Sequence, residues 1–166
     1  MYDHTSYLAQ QALLCHQGDE MRQALRLFNH AMRSGFRGLL DRLLAKRAAL
    51  LDLNAILRGQ GMGNSHFSGV RVIPLDRIQG SEGRCRDFDG KFHPLNGHNR
   101  ERWTRIAMAM LRDEPLPPVD LIEVEGVYFV RDGHHRISVA GALGRQSIDA
   151  VVTTWELSGA GRLRLV

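Results

Sequence analysis

Apolar residues over positions 1–60 recur at three- and four-residue intervals, the signature of amphipathic helices. Tyr7, Leu8, Gln11, Ala12 and Cys15 fit one face of a short helix. Met21, Leu25, Phe28, Met32, Phe36, Leu39, Leu40, Leu43 and Leu44 fit one face of a longer one. Asp19 and Glu20 suit its start, where carboxylates complement the positive end of the peptide dipoles; Gly35 and Gly38 are expected to bend or break it. The pattern then stops. Gly59-Gln-Gly-Met-Gly-Asn-Ser-His-Phe-Ser-Gly69 has no period, and this reads as a linker. Strand-like runs follow at 72–78, 119–124, 127–130 and 147–152, the middle two forming a hairpin around Glu125-Gly126. Between them, Trp103, Ile106, Ala107, Met110 and Leu111 mark the buried face of a helix over 99–112. Leu116-Pro-Pro prevents that helix from continuing. A last helix over 136–143 is closed by Gly144. The expectation is an α/β (α+β) fold: a small mixed sheet with packed helices over 70–157. A helical extension over 1–60 and a Gly-rich linker over 61–69 precede it, and a tail over 158–166 follows.

Composition narrows the class. The chain has 166 residues and a net charge of +4, from 22 basic and 18 acidic side chains. Only Lys46 and Lys91 are lysines. Arginine suits phosphate recognition through its planar fork of donors. Arg22, Arg26, Arg33, Arg37, Arg42, Lys46 and Arg47 fall on the polar side of the long helix, either as a solvated face or as a surface for nucleic acid or a partner protein. Cys15 and Cys85 have no metal-ligand spacing and fit a reducing, cytoplasmic setting. No basic-then-apolar leader and no membrane-length apolar run is present, so no membrane association is expected.

The densest chemistry lies in Tyr128-Phe-Val-Arg-Asp-Gly-His-His-Arg136, where a strand hands over to a helix. Unbonded amides at a helix start attract anions, and a neighbouring guanidinium adds bidentate contacts to phosphate oxygens. Gly133, His134, His135 and Arg136 are therefore the candidate phosphate cradle. Arg136 is the first choice for the phosphate, and His135 for phosphate or base edges. His134 is divided between ligand and core. Asp132 is a candidate base or metal ligand, though turn chemistry alone would explain it.

Asp132-Gly-His-His-Arg136 with its small-residue helix resembles the signature of the ParB/sulfiredoxin superfamily. Val72-Ile-Pro-Leu-Asp-Arg-Ile78, Leu116-Pro-Pro-Val-Asp-Leu-Ile122 and Ser147-Ile-Asp-Ala-Val-Val152 resemble, in order, its opening, second and closing strands. The resemblance covers roughly residues 70–157. It departs from sulfiredoxins at His134, where the catalytic cysteine would fall; imidazole cannot form the thiol-based intermediate. It departs from full partition proteins because only nine residues follow Leu157. What the resemblance implies is a nucleotide site for ATP, ADP or CTP with Mg2+, and either phosphoryl transfer, nucleotide hydrolysis or binding alone.

The polar segment 79–98 would face that site. Glu82 falls about where free-serine kinases of the superfamily carry a catalytic glutamate, so it is the candidate base, with a solvated loop carboxylate as the alternative. Arg84 and Arg86 could clamp a phosphate tail or pair with Asp87 and Asp89. Phe88 and Phe92 are expected to pin the segment to the core. A zinc site at His66, His93 and His98 has little support. The rivals to a nucleotide-binding protein are a DNA-binding module and a nuclease; a homodimer through the long helix is compatible with each.

Overall fold

The structure is a computed structural model describing residues 4–43, 49–58 and 61–158, with side chains over 18–37, 49–58 and 63–157. Residues 159–166, and with them most of the expected tail, lie outside the described residues, as do the side chains of Leu39, Leu40, Leu43 and Leu44. In chain order the elements are α1 (His4–Leu43), β1 (Leu51–Asp52), α2 (Leu53–Arg58), β2 (Gly61–Pro74), a 3-10 turn (Leu75–Arg77), β3 (Ile78–Ser81), α3 (Arg100–Leu111), β4 (Val119–Val124), β5 (Val127–Asp132), α4 (His134–Ala142) and β6 (Ser147–Ser158). The strands form one mixed sheet in the order β1-β3-β5-β4-β6-β2.

Alternation of side chains along each strand divides the core between the two faces of this sheet. On one face Val119, Leu121, Val130, Ala150 and Val152 pack with Ile137 of α4. On the other, Ile122, Val124 and Phe129 pack with Leu53 of α2. A further cluster joins α1, α3 and α4 through Phe28, Trp103 and Val139. Phe28 meets Trp103 edge-on at 5.4 Å between ring centroids, and the indole N–H donates to Ser138 Oγ at 2.9 Å. The Trp103 side chain is thereby both packed and satisfied.

Three sequence expectations are corrected. The stretch 61–69 is not a linker but the first part of β2, running antiparallel to β6 with Ser65 opposite Trp155 and Phe67 opposite Thr153. Its glycines serve irregular pairing and close approach: register shifts fall at 62–65 and 67–69, and a Cβ at Gly63 would lie 2.8 Å from the Glu156 carbonyl oxygen. Next, helix α1 is continuous from His4 to Leu43, across both Gly35 and Gly38. A Cβ at Gly35 would meet the Pro94 carbonyl oxygen at 2.7 Å, so that glycine marks contact with the 82–98 loop rather than a break. Last, the buried face of α1 runs through Ala24, Phe28 and Ala31, while Met21 and Phe36 are 40% and 54% exposed. The helix sits on Phe28 and the small residues around it, which allow close approach, while Met21 and Phe36 lie outside the contact.

Candidate functional site

Strand pairing explains why distant segments converge. β3 and β5 are parallel, with Ser81 opposite Val130, so the chain leaves both strands at the same edge of the sheet. Crevices outside the carboxyl ends of parallel strands are where open α/β sheets place ligands. Glu82 N–H bonds the Val130 carbonyl at 3.0 Å, which extends the pairing by one residue. The 82–87 segment is thereby held against the start of α4.

That start depends on Gly133. It is the N-cap of α4 with φ +99°, and no side chain caps the helix. A Cβ on Gly133 would lie 2.5 Å from Val119 Cγ1, so both conformation and packing demand glycine. Ile137 N–H is the first to bond within the helix, to Gly133 at 3.0 Å. The amides of His134, His135 and Arg136 have no acceptor within the helix, the usual condition of a helix N-terminus.

The two histidines lie in the protein rather than in solvent; each is 4% exposed. His134 Nε2 lies 2.7 Å from Ser81 Oγ. That hydroxyl already accepts the N–H groups of Gly83 at 3.2 Å and Arg84 at 3.0 Å. With both lone pairs used, its proton is left for His134 Nε2 at 2.7 Å or the Val130 carbonyl at 3.5 Å, and the shorter approach favours the His134 tautomer protonated on Nδ1. Phe88 stacks on His134 at 5.8 Å and meets His135 edge-on at 5.5 Å. Burial, then the nearby Arg84, pushes each histidine down to about 4. His135 also lies in the field of Arg102, and both feel Asp87 and Asp132 in the opposite sense. At neutral pH the site thus holds two uncharged imidazoles between cationic arginines.

The remaining candidates are placed as follows. Arg84 is beside the histidines, with Nε 3.1 Å from Asp87, whereas Arg86 is exposed. The Arg136 guanidinium does not stand open at the helix start. Its Nη1 donates to the carbonyls of Pro117 and of Pro118, the latter at 2.9 Å, and its Nη2 pairs with Asp132 at 2.8 Å. Arg136 therefore ties the Pro-Pro segment to α4. Glu82 is 3.4 Å from Arg131 Nε, and Arg131 also reaches Asp120 at 3.7 Å and stacks over Trp155 at 5.6 Å. Both carboxylates proposed as catalytic are thus ion-paired to an arginine. Phe88 and Phe92 do pin the loop, at 2% and 3% exposure. His93 pairs with Asp89 at 2.9 Å, and no group of three metal-ligating side chains occurs among the described residues.

Two residues of this site escape a reading of the chain in order. Ser81 organises the loop and orients His134; its only local signal is a serine ahead of a turn, where hydroxyls often accept amides two and three residues on. Arg102 carries no local signal, and only the packing of α3 beside α4 brings it near His135.

Among the described residues no helix is long and apolar enough to cross a membrane. No family model and no curated protein matches the chain. Among solved structures, sulfiredoxin from Arabidopsis thaliana is similar with a TM-score of 0.41 and 22% identity, over 52% of this chain and 86% of that one. A Pnob8-like ParB-N domain is similar with a TM-score of 0.36 and 12% identity, over 57% of this chain and 32% of that one, so the match spans about a third of its length.

Proposed function

We propose that the protein binds a nucleoside phosphate, ATP, ADP or CTP with Mg2+, at the start of α4. The observation that supports this reading is an uncapped nine-residue helix whose first residues lie in the field of Arg84 and Arg102. Free amides and two guanidinium groups around neutral imidazoles favour a polyanion over a cation or an apolar ligand. Arg84 and Arg102 take the phosphate role that the sequence alone gives to Arg136, and Arg136 keeps the cradle in shape. Glu82 and Asp132 are each neutralised by an arginine. Mg2+ would be carried mainly by the nucleotide's own phosphates, as it commonly is, with at most one or two carboxylates. This arrangement supports binding more directly than turnover. Isothermal titration with ATP, ADP, CTP and GTP in Mg2+ tests it. One nucleotide should bind, and Arg84→Ala should weaken it about tenfold or more, the range for loss of a charge-assisted contact. No heat from any of the four, in protein shown to be folded, contradicts the reading.

A second reading, nucleic-acid contact, is favoured by α1. Exposed Arg26, His30, Arg33 and Arg37 follow helical spacing on the side opposite buried Ala24, Phe28 and Ala31. Duplex binding that weakens steeply with salt and is lost on replacing these arginines would support it.

A further inference from the structure

A cavity opens further along α4. It has a volume of about 530 Å3, and Leu51, Ile78, Phe92 and Ile137 supply its apolar wall. Small-ligand pockets span roughly 300–1,000 Å3 and combine such walls with a few polar groups. Here the polar groups are Lys91, Gln79 and Asp76.

Two features of the wall shape the space. Phe92 holds φ +59°, a left-handed conformation that costs free energy for an aromatic residue. Asp89 enforces it: its Oδ1 accepts the N–H groups of Lys91 at 2.9 Å and His93 at 2.8 Å, and its carbonyl accepts that of Phe92 at 2.9 Å. The strained turn brings the Phe92 ring and Lys91 to the same cavity. The other feature is Gly141, an exposed glycine in the last turn of α4 that lines the same cavity. A Cβ at Gly141 would meet nothing within 4 Å. No close contact requires glycine there, and a bulky side chain at this lining position would have room to enter the cavity.

We propose that this cavity binds a compact apolar molecule, one or two rings or a short alkyl chain, bearing a single acidic group. The apolar body would lie against Ile78, Phe92 and Ile137, and the acid would meet the Lys91 ammonium and the Gln79 amide. Asp76 at the same cavity weighs against a head group of higher charge. This site is separate from the phosphate cradle and does not depend on it.

Fluorescence titration with anilinonaphthalene sulfonate, an apolar monoanion, tests the assignment against its neutral analogue phenylnaphthylamine. Wild type should bind the anion saturably at one site. Gly141→Leu should weaken it by about tenfold or more by occupying the space, with an unchanged or raised thermal midpoint because a helical glycine is removed. Lys91→Gln should weaken the anion about two- to fivefold, the worth of an exposed ion pair, and leave the neutral dye unaffected. Absence of saturable binding to wild type, or equal binding to Gly141→Leu, overturns the site. A neutral dye that binds as tightly as the anion overturns the acidic ligand.

Discussion

Gly133 and the two histidines after it show how single residues set the site. Gly133 combines a left-handed backbone with a Cβ position already taken by Val119. Gly133→Ala should therefore cost more than about 1 kcal/mol, because alanine at positive φ adds strain where it elsewhere removes unfolded-state entropy. Urea denaturation measures this. The histidines make a pH prediction. Both are pushed from 6.5 down to about 4, so the unfolded chain takes up protons before the folded one does. Their folded-state preference is complete above 6.5 and is lost as pH falls from there toward 4. Urea midpoints should fall through that window, and His135→Gln should flatten the fall. A midpoint independent of pH across it contradicts the buried, neutral assignment. The signature Asp132–Arg136 was legible in the sequence because strand, turn glycine and helix are consecutive there. Ser81 and Arg102 were not, because they join the site through strand register and helix packing, 53 positions from His134 and 33 from His135 in the sequence.

Among the elements, legibility followed the kind of pattern each carries. The β4–β5 hairpin and α3 were readable from alternation, helical spacing and turn residues, and they stand within two residues of expectation. Two elements misled because glycine and alanine are ambiguous. Glycines in 61–69 mark bulges and close backbone approach in β2, yet in sequence they match a linker. In α1 the buried positions on either side of Phe28 are small, so the large apolar residues taken together point to a face rotated away from the real contact. That contact still centres on one large side chain. Phe28→Ala should destabilise the protein by about 3–5 kcal/mol, as for other buried phenylalanines. Thermal or urea unfolding followed by tryptophan fluorescence measures it. A loss below about 1 kcal/mol would mean that α1 is dispensable to the core.

For the whole molecule, one sheet serves two ends. Its hydrophobic faces hold α2 on one side and α1, α3 and α4 on the other, while the shared carboxyl edge of β3 and β5 brings 82–87 to the start of α4. The mixed α/β architecture followed from strand and helix alternation, and so did the hand-over from β5 to the start of α4. The partners of Arg136 did not, since its carbonyl acceptors lie on Pro117 and Pro118 in another segment. The central claim is that the amides of His134, His135 and Arg136 receive phosphate oxygens. Titrating nitrogen-labelled protein with ATP, ADP, CTP and GTP in Mg2+, and following its backbone amide spectrum, reads those groups directly. Saturable shifts are expected at the amides of His134, His135 and Arg136 with one nucleotide, suppressed in Arg84→Ala. Unmoved amides at these residues under saturating nucleotide would contradict it.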